Sequence, residues 1–209
     1  MKIIFEDDYM VVCIKPVGVL SQRDASGKEN MVDLLESVCK TEIFPLHRLD
    51  REVGGVMVFA KEKRSAAKLS QDIVNRDFKK EYIAFLHGVP QKEQGEMRDL
   101  LFKDSAKNKS YVVKRLRKGV KEALLEYELL ESLNLNGDEY SKVKILLHTG
   151  RTHQIRVQFA SRKMPLVADK KYGANDGFKR IGLWSYRISF NHPITKQRLT
   201  FCEEPESFI

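Results

Sequence analysis

The order of apolar and polar residues predicts short strands and helices in the first third of the chain. Residues 3–20 contain two apolar runs separated by an acidic turn, Glu6 to Asp8, which predicts two short strands. Residues 31–40 place apolar side chains three and four positions apart, which is typical of a helix. Residues 54–61, GGVMVFAK, are apolar without alternation, and this pattern predicts a strand buried on both faces.

The middle of the chain continues the succession of helix and strand. Residues 65–78 predict a helix with Ser65 as its N-cap, and residues 79–88 predict a strand that ends at a glycine. Residues 91–121 are rich in lysine, arginine, glutamine and aspartate and show little periodicity. We therefore expect a basic, partly mobile insertion there, with one short strand at residues 111–114.

The last part of the chain predicts a hairpin, a helix and a further pair of strands. Residues 122–150 form two strand-like runs around Asn136-Gly137, a dipeptide typical of hairpin turns. Residues 151–162 have the helical pattern, and residues 182–201 alternate on both sides of a turn at His192. The predicted first turn of the helix carries three polar side chains, Arg151, His153 and Arg156.

Length and composition favour one soluble domain. The chain has 209 residues, of which 42% are hydrophobic and 32% charged. A single domain over residues 1–209 fits the usual size of about 100–200 residues. No apolar run approaches the roughly 18 residues of a membrane span, and acids near the N-terminus argue against a secretory signal. We expect a cytoplasmic protein that does not span a membrane.

The charge of the chain narrows the choice of partner. The formal net charge is +8 and the pI is near 9.3, which is typical of a protein that meets a polyanion. Composition alone leaves RNA, DNA and membrane surfaces open. The three cysteines are widely spaced and form no CxxC pair, so they indicate reduced thiols and neither a zinc site nor a disulfide framework.

One carboxylate has unusual neighbours. Asp50 lies two residues after Arg48 and directly before Arg51, at the entrance to the apolar run that starts at Gly54. Exposed ion pairs of this kind are common, and each contributes about 0–1 kcal/mol. The alternative is a reactive carboxylate that an arginine keeps ionised. The local sequence leaves both interpretations open.

Two arginine-containing motifs, HRLD and GRTHQIR, belong to a longer pattern that runs through the chain in one order. Its segments are Lys15-Pro16-x-Gly18, His47-Arg48-Leu49-Asp50, Gly55, Ala60-Lys61, Lys80-Glu81-Tyr82-Ile83-Ala84, Gly88, Gly150 to Arg156, Pro165, Asp169, Tyr172-Gly173 and Phe190-x-His192-Pro193-x-Thr195. On these segments the chain resembles the RluA-type pseudouridine synthases over nearly its whole length.

The chain departs from the family pattern at a few loop positions. Val53-Gly54 stands where Thr-Ser is usual, and Lys163-Met164 and Ala168 stand where glycines are common. The match begins within the first twenty residues, so we expect no separate small RNA-binding domain in front of the catalytic domain. These features leave open which RNA is the substrate, and they leave the implied chemistry intact.

The resemblance implies isomerisation of uridine in RNA with no cofactor and no metal. It implies that Asp50 is the catalytic carboxylate, acting as nucleophile or base, since both roles need the ionised form. Arg156 is implied as the cation that favours this form. Tyr82 is implied to stack on the uracil taken out of its helix, although a tyrosine in a core strand is the simpler alternative.

The resemblance also implies residues that bind RNA. Arg48 would face the RNA near the gap left by the displaced base. Lys61, Arg151 and the basic stretch 103–118 would contact phosphates, although a solvated surface explains most of those lysines equally well. The histidines show no metal-ligand spacing. We expect structural hydrogen bonds for three of them, His47, His153 and His192.

The implied fold is α+β, with a mostly antiparallel mixed sheet flanked by helices and a cleft between the Asp50 loop and the helix that starts near Arg151. The implied partner is ribosomal or transfer RNA, and we expect a monomer with no obligate protein partner. Two rival functions remain. One is a non-catalytic RNA-binding relative of the family; the other is a metal-dependent nuclease, for which the sequence offers no paired carboxylates or histidine cluster.

Overall fold

The chain forms two compact units. The computed structural model describes residues 1–205. The first unit comprises Met1–Lys80 and Trp184–Pro205, and the second comprises Glu81–Leu183. Mostly antiparallel strands with three α-helices in this described part give the α+β class that was expected. None of these helices is long and apolar enough to cross a membrane.

The elements follow one another in this order: β1 (Lys2–Glu6), β2 (Met10–Lys15), α1 (Met31–Cys39), β3 (Phe44–Pro45), β4 (Gly54–Ala60), α2 (Lys63–Val74), β5 (Lys79–His87), β6 (Gln94–Asp104), β7 (Lys109–Val113), β8 (Val120–Leu135), β9 (Asp138–Leu147), α3 (Gln154–Ala160), a short 3₁₀ helix (Lys170–Tyr172), β10 (Leu183–Asn191) and β11 (Arg198–Cys202).

The first unit contains antiparallel strands with one parallel pairing. β1 pairs with β2, β2 with β4, and β10 with β11, all antiparallel, whereas β10 runs parallel to β4. Every residue of β4 is buried, as its unbroken apolar sequence predicted. Helix α2 buries Leu69 in a core that contains Phe78 and Phe190, whose rings stack with centroids 5.0 Å apart.

The second unit is a run of antiparallel strands in the order β5, β9, β8, β6, β7. Asn136 and Gly137 join β8 to β9 with φ angles of 55° and 93°, the left-handed conformations of a two-residue hairpin turn. The predicted hairpin is therefore confirmed. Helix α3 packs on this unit through Val157, which lies in a buried cluster with Leu101 and Ala123.

Residues 91–121 do not form the insertion that was predicted. They contain β6 and β7, which pair from Leu100 opposite Val113 to Asp104 opposite Lys109. Met97 and Leu101 are buried, whereas most residues between and beyond them are at least partly exposed. Because only a few side chains on these strands are buried, the polar majority hides the strand pattern in the sequence.

The two helices of the first unit begin with different caps. The predicted helix α1 is confirmed, and the Asn30 side chain caps it by accepting a hydrogen bond from the Asp33 N–H at 3.0 Å. The prediction that Ser65 caps α2 was wrong. Glu62 is the N-cap, and the Ser65 hydroxyl lies inside the first turn and donates to Glu62 Oε1 at 2.7 Å.

Candidate active site

Asp50 lies in a turn directly ahead of the buried strand β4. The Val53 N–H closes the turn by donating to the Asp50 carbonyl at 3.0 Å. Asp50 is half-buried, whereas Arg51 and Glu52 in the same turn are exposed. A carboxylate at this point is fixed by the strand behind it and still reaches solvent.

The loop that follows β2 holds one side of this turn. The fully buried Lys15 donates from Nζ to the carbonyls of Val19 at 2.7 Å and Arg51 at 3.3 Å. The Gly18 N–H also donates to the Arg51 carbonyl at 2.8 Å, and Arg51 Nε donates to the Gly18 carbonyl at 2.8 Å. Burial lowers the pKa of Lys15 to about 8, while the negative charge of Asp50 opposes this shift.

A buried serine holds the residue that precedes Asp50. Ser21 Oγ donates to the Leu49 carbonyl at 2.8 Å and accepts from the Leu49 N–H at 2.9 Å. Leu49 belongs to no strand, so these two bonds satisfy the backbone groups that a neighbouring strand would otherwise bind. Together with the bonds of Lys15 and Gly18, they fix the backbone both before and after Asp50.

His47, three residues before Asp50, corrects a sequence prediction. Both of its ring nitrogens are buried and make no hydrogen bond within residues 1–205, so the structural hydrogen bond expected for it was wrong. Its ring centroid lies 5.8 Å from that of Phe78. Burial lowers the pKa of His47 to about 3, and the charge of Lys80 acts in the same direction. His47 is therefore neutral and packs as an apolar residue.

Arg156 projects from α3 into a buried ion pair. Its Nε and Nη2 donate to the two carboxylate oxygens of Asp169 at 2.7 and 2.8 Å. The two residues are 5% and 1% exposed. A two-pronged pair of this kind fixes the plane of the guanidinium group as well as its position. Asp169 is thus the residue that orients Arg156.

Tyr172 lies against the same guanidinium group. The Arg156 guanidinium carbon is 5.3 Å from the centre of the Tyr172 ring. The Tyr172 hydroxyl accepts from the Ser110 N–H at 2.8 Å and lies 3.0 Å from His153 Nδ1. The structural hydrogen bond predicted for His153 is confirmed, as is that of His192, whose Nε2 is 2.7 Å from an aspartate oxygen.

Tyr82 and Arg48 differ sharply in exposure. Tyr82 lies on β5 opposite Ile145 of β9 and is only 5% exposed. Arg48 is exposed, and within residues 1–205 it makes no hydrogen bond or ion pair. Base stacking by Tyr82 and RNA contact by Arg48 stay predictions. The exposure of Arg48 is what a contact to RNA requires.

Two other cations predicted to bind RNA have partners within the chain. Lys61 Nζ donates to Glu6 Oε1 at 2.9 Å and to the Asp7 carbonyl at 2.7 Å. Arg151 Nε donates to the Glu122 carbonyl at 2.8 Å. Arg151 also precedes α3 and does not lie in its first turn, because α3 begins only at residue 154, after a residue with a φ of 52°. Phosphate contact by Lys61 or Arg151 stays a prediction.

The unusual Val53-Gly54 pair has a packing explanation. A Cβ atom on Gly54 would lie 2.4 Å from a ring carbon of Trp184. Gly55 has a φ of 121°, and a Cβ atom there would lie 2.3 Å from the Ser185 carbonyl oxygen. The backbone of β10 therefore leaves no room for a side chain at Gly55, and the Trp184 ring fills that room at Gly54. The departure from Thr-Ser belongs to this contact and leaves the Asp50 turn intact.

The other two departures fall on left-handed backbone. Lys163 has a φ of 63° and Ala168 a φ of 56°. Glycine adopts this conformation without the cost, about 1–2 kcal/mol, that a Cβ atom imposes. The glycines common at these positions in the family therefore have a backbone reason, and this chain keeps the conformation without them.

Three residues that support the candidate site were not given this role by sequence reasoning. Lys15 and Asp169 belong to motifs of the family pattern. Nothing in those motifs shows that Lys15 binds backbone carbonyls or that Asp169 binds Arg156. Ser21 gave no signal at all. A lysine that ends an apolar strand run, as Lys15 does, was the available hint, because a buried lysine needs nearby acceptors.

The described residues offer carboxylate, arginine and tyrosine chemistry. Within residues 1–205, no group of three or more His, Cys, Asp or Glu side chains is placed to hold a metal ion. The cysteines are free thiols, and burial raises the pKa of Cys13 to about 12. A thiolate nucleophile at Cys13 is therefore excluded near neutral pH.

Comparison with known proteins identifies the class. The family model described as RNA pseudouridylate synthase matches residues 8–161. The chain therefore belongs to the RNA pseudouridylate synthase family. Among solved structures, human RNA pseudouridylate synthase domain containing 1 shares the fold, with a TM-score of 0.80 and 23% identity over 98% of this chain and 83% of that one.

Named relatives narrow the class to the RluA type. An uncharacterized RNA pseudouridine synthase of Aquifex aeolicus is 32% identical and is aligned over 100% of this chain and 71% of its own length. The tRNA pseudouridine synthase C of Pasteurella multocida is 28% identical, over 97% of this chain and 90% of its own. The resemblance seen in the motifs is confirmed, and the enzyme class is that of an isomerase.

Proposed function

We propose that this chain converts specific uridines of transfer or ribosomal RNA to pseudouridine, with Asp50 as the reactive carboxylate. The observation that carries the proposal is the half-buried Asp50 in a turn whose backbone is fixed on both sides by Lys15, Gly18 and Ser21. Relatives support both RNA classes, since they include a tRNA pseudouridine synthase C and the ribosomal large subunit pseudouridine synthase D of Borreliella burgdorferi.

The reaction needs what a fixed carboxylate supplies. The bond between ribose C1′ and base N1 breaks, the base turns, and a new bond joins C1′ to base C5. No electron is gained or lost overall. An ionised carboxylate can add to carbon as a nucleophile or remove a proton as a base. Asp50 performs one of these steps, and its fixed backbone spares the cost of ordering the loop in the reaction.

Arg156 and Tyr82 complete the proposed catalytic set. Arg156 supplies the cation of the proposed set, and the buried Asp169 keeps its guanidinium group in one plane. The flipped uracil stacks on Tyr82, whose hydroxyl takes part in a late proton transfer. Arg48, exposed and without an ion pair in the described chain, faces the RNA.

The remaining expectations stay predictions. They are contact of Lys61 and Arg151 with phosphates, a monomer with no obligate protein partner, a cytoplasmic location, and one domain over residues 1–209, of which residues 206–209 lie outside the described chain. The non-catalytic alternative lacks support, because the family and the named relatives are synthases.

An assay on unmodified RNA tests the proposed function. The parent protein and Asp50→Asn are incubated with unmodified transfer and ribosomal RNA in EDTA, and pseudouridine is counted. We expect chelator-resistant isomerisation by the parent, none by Asp50→Asn, and RNA affinities within a few-fold of each other, because Asn has nearly the same shape but lacks the anionic oxygen. Turnover by a verified Asp50→Asn protein would remove Asp50 from its role. Binding without turnover by the parent would favour the non-catalytic alternative, and chelator-sensitive cleavage a nuclease.

A further inference from the structure

A basic pocket lies on the first unit, between α2 and the turn that joins β10 to β11. Its volume is about 370 Å³, at the lower end of the roughly 300–1,000 Å³ of ligand sites. We call it the α2 pocket, and seven residues line it: Arg64, Ser65, Ala67, Lys68, Pro193, Ile194 and Lys196. Three of the seven are cations and none is an acid.

His192 holds the turn that forms one wall of the α2 pocket. Its Nδ1 accepts hydrogen bonds from the N–H groups of Ile194 at 3.2 Å and Thr195 at 3.0 Å. The ring proton therefore sits on Nε2, which donates to Asp7 Oδ2 at 2.7 Å. Through His192, the F-x-H-P-x-T motif fixes a turn beside α2. The reaction proposed for Asp50 does not account for this role.

The cations of the α2 pocket are only partly neutralised within the chain. Arg64 is exposed and makes no hydrogen bond or ion pair in the described residues. Lys68 lies 3.4 Å from Asp72, with 44% of its side chain exposed. Lys196 Nζ donates to the carbonyl of Pro193, another lining residue, and this bond holds the ammonium group beside the pocket. Because the acceptor is a neutral carbonyl, the positive charge of Lys196 is not neutralised. Cations gathered around a concave surface attract an anion.

The α2 pocket and Asp50 lie at opposite ends of β4. The Asp50 turn leads into Gly54, whereas α2 begins shortly after Ala60. β10 runs parallel to β4, so the turn after Asn191 lies at the Ala60 end. Seven strand residues at about 3.3 Å each span roughly 20 Å. An anion in the α2 pocket therefore belongs to a part of the substrate remote from the reacting base.

We propose that the α2 pocket binds a backbone phosphate of the substrate RNA, outside the segment that contains the target uridine. The proposal rests on the proposed function for the identity of the substrate. A phosphodiester carries one negative charge, and its two free oxygens match the forked donors of Arg64. Lys68 and Lys196 supply charge from the helix and the turn. The pocket extends the RNA footprint along the first unit.

The test compares a pocket variant with its parent on two RNAs. Arg64→Gln/Lys68→Gln/Lys196→Gln removes the three charges, and a full-length substrate RNA is compared with a minimal stem-loop around the target uridine. We expect affinity for the full-length RNA to fall on the order of tenfold, and the slope of log affinity against log salt to shrink by about 0.7 for the lost contact. kcat at saturation and affinity for the stem-loop stay as in the parent.

Lys63→Gln is the matched control, because Lys63 is exposed in the same helical turn as Arg64 but does not line the pocket. Arg64→Gln alone should weaken full-length RNA binding, whereas Lys63→Gln should not. Equal losses from the two variants would show diffuse surface attraction and overturn the proposal, as would parental affinity in the triple variant.

Two further results separate a site for RNA phosphate from a site for a small free anion, and separate failure of this proposal from failure of the proposed function. Inorganic phosphate is titrated into the parent and followed by NMR signals of residues 192–197. Phosphate binding combined with parental RNA affinity in the triple variant would assign the α2 pocket to a small free anion and overturn the proposal. If the parent forms no pseudouridine in any RNA but the triple variant still binds full-length RNA less tightly, the proposed function fails and the RNA-phosphate site stands.

Discussion

The backbone around Asp50 is held by side chains that take no direct part in the proposed reaction. Lys15 binds the Arg51 carbonyl on one side of it, and Ser21 binds Leu49 on the other. Functional groups fixed in this way need little ordering when the substrate arrives. At the scale of single residues, function therefore depends as much on the supporting side chains as on the reactive carboxylate.

Tyr82 has two separable contributions, its ring and its hydroxyl. Tyr82→Phe keeps the ring, so it should bind RNA like the parent but react slower by about two orders of magnitude, the usual cost of losing an acid–base group. Tyr82→Ala should also lose about 1–3 kcal/mol of binding. Single-turnover rates at saturating enzyme, with binding constants for both variants, measure the two effects. A Phe variant as fast as the parent would limit Tyr82 to stacking.

His47 makes stability depend on pH. Its pKa is about 3 in the folded protein and about 6.5 when unfolded, because burial disfavours the charged ring. Between these two pH values the unfolded chain therefore binds a proton that the folded chain does not. The neutral His47 ring leaves the free energy of unfolding at its full value above about pH 6.5, and this free energy falls as the pH is lowered towards 3. Urea unfolding near pH 7 and near pH 5 should show a larger drop for the parent than for His47→Leu. Equal drops would mean that His47 is charged in the fold.

At the scale of elements, the pairing of β4 with β10 positions the Asp50 turn. Gly54 and Gly55 lie opposite Trp184 and Ser185 in this parallel pair, and neither glycine has room for a Cβ atom. Trp184 also donates from Nε1 to the Glu203 carbonyl at 2.9 Å, which keeps its ring in place. The start of β4, and the turn before it, are therefore fixed by close contact between strands.

Gly54→Ser tests this contact. The family's usual serine should destabilise this chain by about 1–3 kcal/mol, because the new Cβ overlaps the Trp184 ring. The penalty should shrink when Trp184→Leu removes the ring, so a double-mutant cycle of unfolding free energies should give a coupling above about 0.5 kcal/mol. Additive effects in the cycle would contradict the packing explanation.

The whole molecule carries a net charge of +8, and its cations divide into two kinds. Lys61 and Arg151 bind groups of the chain itself, whereas Arg48 and Arg64 have no partner among residues 1–205. A cation without a partner in the chain can neutralise a phosphate without first breaking an ion pair or a hydrogen bond. The electrostatic contribution to RNA binding should therefore come from a subset of the basic residues.

Salt dependence measures that contribution. Because each neutralised phosphate releases counterions, log affinity for RNA should fall linearly with log salt, with a slope of about 0.7 per contact on single strands. Arg48→Gln should reduce the slope, whereas Lys144→Gln should not, because Lys144 on β9 is already paired with Glu128 on β8. Affinity that does not change between low and moderate salt would contradict a polyanionic substrate.

Features with a strong local signal could be predicted from the sequence. The unbroken apolar run of β4, the Asn136-Gly137 turn and the helical spacing of α1 each depend on neighbours within a few residues. The ordered motifs also identified Asp50, Tyr82 and Arg156 as candidates. Local periodicity and turn chemistry determine the strand, the turn and the helix because they act over the length of one element, whereas the three candidate residues came from the family resemblance.

Only the tertiary structure decided which residues meet. The sequence does not show that Asp169 binds Arg156, that Trp184 covers Gly54, or that the ring nitrogens of His47 are buried with no hydrogen-bond partner in the described chain. Strand β6 was missed for the same reason, since its few buried positions become meaningful only when α3 packs on them. The short strand predicted at residues 111–114 is confirmed as β7, which begins two residues earlier. Contacts between distant segments depend on how whole elements pack, and that information is spread over the entire chain.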